Sequence, residues 1–282
     1  MKRLGSVGLM LGVLTLGGTF GCADEKEEKA KEHRVKGTNF LADKNYAAAT
    51  KEYEESLKID PTQEKVWEKK AFAHLQAGQT DEAAQAALKL IDFAKTPDDK
   101  AAGYRNVAAM YAKNGPLEKA EQYFQEALKI NPKDADALSW IAEVHSQRGG
   151  ARSMSTPAVP EELEKALKVY DQVLALNPNS ANTYLNKRIV MAKYMEHEKS
   201  LRDAAEQEAV EAGMPPAPVK GKKPAADPAA AERVAAAKAS SAAHQARIDQ
   251  LQAEFNELTK QFGEATKRNA AAAKGAQASN KP

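Results

Sequence analysis

Residues 104–132 read YRNVAAMYAKNGPLEKAEQYFQEALKINP, and their pattern decides the fold. Tyr104, Val107, Ala108 and Tyr111 recur at helical spacing before Gly115-Pro116. Ala120, Phe124 and Ala127 do so after it, and Pro132 closes the stretch. Apolar residues three and four apart on either side of a Gly-Pro break predict two amphipathic helices joined by a tight turn. The same slots come round elsewhere. Gly37, Ala71, Ala108 and Ala142 share one, at spacings of 34, 37 and 34 residues. Phe40, His74, Tyr111 and His145 lie three residues later in each copy. Ala49, Ala83, Ala120 and Ala166 open a second helix, followed four residues on by Tyr53, Ala87, Phe124 and Tyr170. Pro61, Pro132 and Pro178 end copies, each after an Asp or Asn.

Such a period resembles the tetratricopeptide repeat, whose units of about 34 residues carry small residues and aromatics in these slots and a closing proline. The resemblance covers roughly residues 30 to 195, with Trp67 in the Trp slot of the second copy. It implies an all-α solenoid of helical hairpins, about four units in a right-handed stack. The small residues let the paired helices approach, and the aromatics fill the gaps between neighbours. A proline just inside a helix start loses nothing, because its missing N–H would be unpaired there anyway. No unit hides its apolar face alone, so several must stack. Two irregularities stand out. Three extra residues fall near Phe93 to Pro97. The fourth unit carries a Gly, Ser and Pro-rich insertion, Gly149 to Pro160, expected to be a mobile loop. The helix after Asn179-Ser180 has Lys187 and Arg188 in the small-residue slot, which suits a capping helix.

In such a stack the first helix of each unit lines a concave side. The resemblance then maps a partner-binding groove onto Lys31, Arg34 and Leu41, then Lys65, Phe72 and Leu75, then Arg105 and Ala109. Phe72 and Leu75, facing away from the core, are the informative pair. A groove that begins basic and turns apolar suits a protein segment with an acidic end and a hydrophobic anchor. Thr38 and Lys69 do not reproduce the Lys and Asn set with which the chaperone-binding subfamily clamps a terminal carboxylate.

The ends of the chain read differently. Met1-Lys2-Arg3 is basic, Leu4 to Leu16 is apolar and uncharged, and a strongly polar run follows Cys22. This is the layout of a secretory signal peptide, and the apolar run is shorter than the ~20 residues a bilayer span requires. Gly21-Cys22 resembles a bacterial lipobox, although Thr19 and Phe20 depart from its usual residues. That resemblance implies lipidation at Cys22, which is the lone cysteine and so has no disulfide partner within the chain. Resemblance to sorted lipoproteins, with Ala23 after the cysteine, implies the outer membrane, facing the periplasm. At the other end Gly213 to Ala230 holds five prolines and three lysines and reads as a linker. Beyond it, Ile248, Leu251, Phe255, Leu258 and Phe262 form a short heptad seam on an Ala-rich helix. That seam is open to self-association on the one hand and to packing on the repeats or a partner on the other.

The expected organisation is a signal peptide over 1–21, a lipidated tether over 22–30 and the repeat array with its capping helix over 31–212. A linker over 213–228, a helix over 229–273 and a disordered tail over 274–282 complete it. Net charge is +2, from 41 basic and 39 acidic residues, which gives no field to draw nucleic acid. The chain has no His-Glu-x-x-His, no Gly-x-Ser-x-Gly and no phosphate-cradling glycine loop. Its five histidines fit packing better than metal binding. The sequence therefore predicts no enzyme, no cofactor and no metal. It predicts a membrane-anchored scaffold for protein partners, assisting an envelope assembly. The alternative is a structural envelope protein that self-associates through residues 229–273 or touches the cell wall.

Overall fold

A computed structural model describes residues 20–153, 155–214 and 229–279. Among them are ten α-helices, one 3-10 turn and no strand. The chain divides into two compact units, one ending at Gly115 and one beginning at Pro116. The expected signal peptide falls almost wholly outside the described residues, as does the linker beyond Met214.

The N-terminal unit holds α1 (Phe20–Ala42), α2 (Tyr46–Ile59), α3 (Glu64–Gln76), α4 (Thr80–Leu90) and α5 (Pro97–Asn114). Its helices pack as hairpins, α1 on α2 and α3 on α4, with α2 on α3 and α4 on α5 between them. The repeat slots explain why they can. Ala49 and Ala83 are fully buried, and a side chain at Gly37 would stand 2.8 Å from the buried Tyr53 ring. The three extra residues form the turn Ile91–Phe93, after which Thr96 and Asp99 cap α5 reciprocally, with Pro97 at its first position. Cys22 lies early in α1, so residues 22–30, the stretch read as a tether, are helical. Ala30 is buried and its carbonyl accepts from Ser56 Oγ at 2.7 Å, which holds this stretch to α2.

The C-terminal unit holds α6 (Leu117–Ile130), α7 (Ala135–Arg148), α8 (Pro160–Leu176), α9 (Ala181–Gly213) and α10 (Ala230–Ser279). Ala120, Phe124, Ala166 and Tyr170 are buried in their slots, and Gly149 sits where a Cβ would fall 2.5 Å from Leu163. The insertion is tied down. Arg152 grips Glu143 with two nitrogens, at 3.0 and 2.6 Å, and reaches Asn186 at 3.2 Å.

The prolines that end copies lie in the turns before the next helix, not inside it. The residue ahead of each shows why. Asp60, Asn131 and Asn177 each accept, through Oδ1, the backbone N–H two residues on, at 2.9, 3.1 and 3.2 Å. These are Asx turns, with proline fixing the next φ. The first-turn prolines are instead Pro97 and Pro160.

The largest departure from expectation is the end of the chain. α9 runs for 33 residues, to within one residue of the expected end at 212, but α10 runs for 50, past residue 273 to Ser279. The two lie antiparallel. Glu198 meets His244 at 2.7 Å, Arg202 meets Gln245 at 2.8 Å, and Asn179 receives Arg268 at 2.8 Å. The heptad seam faces α9, with Ile248, Leu251 and Leu258 buried. Lys187 pairs with Asp171 of α8. The Arg188 guanidinium lies over Phe255 and Phe262, at 4.9 and 5.7 Å from their centroids. Lys187 thus joins α9 to the helix before it, and Arg188 marks where the helix after it packs.

Candidate partner-binding groove

Three helices of the N-terminal unit shape the site. α4 packs on both α3 and α5, so facing side chains of α3 and α5 leave an opening that α4 floors. The cavity is about 430 Å³. Phe72 and Leu75 line it from α3, Leu90 from α4, and Ala109 and Met110 from α5. Glu68 and Lys113 mark its rim with opposite charges. Its walls are overwhelmingly apolar, and Phe72 remains 51% exposed. Sequence spacing explains that exposure. Phe72 is flanked by the buried Ala71 and Ala73, so its own direction points away from the core.

A second cavity of about 410 Å³ opens at the start of α3, lined by Arg34, Gln63, Glu64, Lys65, Val66 and Lys69. Arg34 donates to Gln63 Oε1 at 3.1 Å, and Lys69 donates to Thr38 Oγ1 at 3.1 Å. Gln63 is itself fixed by three donations from Nε2, to Ser56 and to the Asp60 carbonyl. The cations therefore rest on neutral partners. Lys65 and Phe72 are seven residues apart on α3, about 10 Å along its axis. One helix thus presents a basic cavity and an apolar one within the reach of a single short peptide.

The structure gathers most of the predicted groove residues. Arg34 and Lys65 line the basic cavity, and Phe72, Leu75 and Ala109 line the apolar one. Lys31 is exposed on α1. Leu41 is not on the groove: it packs against the buried cluster of Tyr53, Leu57 and Val66, because α1 turns that side chain toward α2. Arg105 is half-buried on α5 and lines neither cavity. Sequence reading missed Leu90, Met110 and Gln63. Leu90 belongs to a second helix, and only the gap between α3 and α5 exposes it.

The histidines take structural parts. His33 meets Glu52 at 2.7 Å, His74 meets Gln79 at 2.8 Å, and the buried His145 meets Glu162 at 2.8 Å. Among the described residues no group of three His, Cys, Asp or Glu could hold a metal. No described helix is long and apolar enough to cross a membrane.

Comparison with known proteins agrees with the helical-hairpin architecture. The tetratricopeptide repeat model matches residues 101–134. Hsp70-Hsp90 organizing protein 3 of Arabidopsis thaliana is 27% identical over 182 residues, covering 58% of this chain and 32% of that protein. The chain thus spans about a third of that relative's length. Photosystem I assembly protein Ycf3 of Rippkaea orientalis is 29% identical over 133 residues, covering 44% of this chain and 76% of that protein. Among solved structures, a TPR repeats protein from Bacteroides fragilis aligns at TM-score 0.44 and 16% identity, over 85% of this chain and 98% of that one. MamA aligns at TM-score 0.42 and 19% identity, over 68% and 98%.

Proposed function

We propose that this chain is a protein-interaction scaffold of the bacterial envelope, capturing a partner segment in the groove of its N-terminal unit. The observation that carries this reading is Phe72, half exposed above an apolar cavity that the described residues leave open. A solvated helix face gains nothing from such a residue, whereas an interface gains a central anchor. The basic cavity at Arg34, Lys65 and Lys69 then favours a segment with acidic residues about 10 Å from its hydrophobic one. The relatives support the same class of work, since their names describe proteins that organise or assemble others.

Attachment to a membrane by acyl chains on Cys22 completes the proposal, with the outer membrane facing the periplasm as its place. It rests on the basic, apolar and polar order of residues 1 to 29. Each buried methylene contributes about 0.8 kcal/mol, so two or more chains hold a protein stably. The rival use of residues 229–273, self-association through the heptad seam, would require α10 to leave α9, because that seam is already buried there.

A photo-crosslinker at Met110 in the full chain tests the groove. It should capture one defined partner in cells, and Phe72→Ala/Lys65→Glu should abolish that adduct while leaving helical content unchanged. Persistence of the adduct would remove the groove reading. Separately, Cys22→Ser should stop incorporation of labelled palmitate and release the protein from membranes. Retention of both would defeat the anchor.

A further inference from the structure

The last helix pair breaks the repeat plan and creates a second surface. The first helices of earlier hairpins have 23, 13, 18 and 14 residues in α1, α3, α5 and α7, whereas α9 has 33. α8 follows α9 only part of the way. Lys187 faces Asp171 and Tyr194 donates to Glu164 at 2.6 Å, so the start of α8 at Pro160 falls near residue 198. The insertion covers α9 as far as Ser200. From residue 201 to 213 the neighbour of α9 is α10, paired through Arg202 to Gln245 and Glu206 to Ser241. Residues 201–213 and 230–247 therefore form a two-helix arm, about 20 Å long by the helical rise.

That arm is poorly filled by itself. Ala205, Ala209 and Ala237 are the residues it buries, while Leu201, Val210 and Met214 are 37%, 58% and 61% exposed. A cavity of about 730 Å³ lies on it, lined by Ala209, Val210, Met214 and Val234 with Glu206 and Lys238 beside them. Two helices cannot build an interior without a further layer. The charges identify that layer. The α9 side carries Asp203, Glu206, Glu208 and Glu211 against one cation, Arg202. The α10 side carries Arg233, Lys238 and Arg247 against one anion, Glu232. A two-fold axis sets a patch against itself, so a charged patch is self-complementary when it holds both signs side by side, as Glu206 and Lys238 do at this cavity. A partner of a single sign would be repelled by one of the two helices.

We propose that the arm is a homodimerisation element. Two copies pair their arms about a two-fold axis as a four-helix bundle, the acidic α9 of one on the basic α10 of the other, with Val210 and Val234 between them. The seam from Ile248 to Phe262 stays on its own α9, and the groove of the N-terminal unit takes no part, so failure here leaves that reading untouched.

The test is light scattering after size exclusion on the full chain carrying Cys22→Ser, so that acyl chains do not drive association. The expected mass is twice 30.5 kDa. Val210→Glu/Val234→Glu should give the monomer with unchanged circular dichroism. Glu206→Lys sets like charges together and should weaken the dimer about tenfold or more, and Glu206→Lys/Lys238→Glu should restore it. A monomer at every concentration, a dimer indifferent to the valine changes, or a charge swap that fails to restore would each overturn the proposal.

Discussion

Phe72 and Phe255 are both aromatic residues on helix faces that the repeats do not use for their own stacking. Phe72 stands half exposed beside an open cavity, whereas Phe255, on the long covering helix α10, lies 4.9 Å from the Arg188 guanidinium of α9. The contrast shows how a repeat array divides its apolar surface. Each hairpin needs a neighbour, and the last one has none. Here the chain supplies the missing neighbour from its own C-terminal part, at the α9 face, and among the described residues the α3–α5 face keeps an open cavity. A covered face is part of the fold, and an uncovered one is available to a partner.

The strongest way to break that contrast is to loosen the cover. Leu251 is 1% and Leu258 7% exposed in the seam. Leu251→Ala and Leu258→Ala should each cost about 2–5 kcal/mol. Together they should free α10, seen as lost amide-exchange protection over 248–265 while the N-terminal unit keeps its own. Retained protection would mean that the seam does not hold the helix. Next in size is Gly149→Ala. Its Cβ would press on Leu163, which is fully buried and cannot yield, so a loss of about 1–3 kcal/mol in the urea midpoint is expected.

Acid sharpens the comparison, because one buried charge network belongs to the C-terminal unit. Burial pushes the Glu162 carboxyl up, but the His145 and Lys165 hydrogen bonds and nearby Arg148 outweigh it and hold it below its ordinary value of 4.5. A carboxyl depressed in the folded state stabilises fully above its unfolded value and loses that contribution as pH falls through the folded one. The urea midpoint of the C-terminal unit should therefore fall with acid below about pH 4.5. Glu162→Gln should flatten that part of the curve, and an unchanged slope would show that the network contributes nothing.

The repeat slots were legible because their constraint is local. A small residue at Ala49 or Ala166 and an aromatic four residues on describe one helix meeting the next in sequence, and both alanines are fully buried. The groove was legible in part for the same reason, since Phe72 and Leu75 share a face of one helix. Leu90 and Leu41 were not, because whether a side chain meets a gap or a neighbour depends on spacing between helices. The α9–α10 pairing was hidden further still. Arg188 and Phe255 are separated by the whole linker, and nothing near Arg188 states that two aromatic rings will cover it. Polar residues in the small-residue slot read as the end of an array, yet Lys187 meets α8 and Arg188 meets α10.

The smallest expected change in stability belongs to the residue expected to matter most for binding. Phe72 keeps half its surface in water, so Phe72→Ala removes only half a side chain's burial and leaves no closed void. Its cost should be about 1–2 kcal/mol, the burial of half a Phe side chain. Leu57→Ala, a truncation in the same unit at 5% exposure, should cost about 2–5 kcal/mol. Urea unfolding of the two variants gives the comparison directly. If Phe72→Ala destabilised the protein as Leu57→Ala does, the aromatic ring would be part of the packing between α3 and α5. The cavity beside it would then be a feature of the fold and not a place kept for another chain.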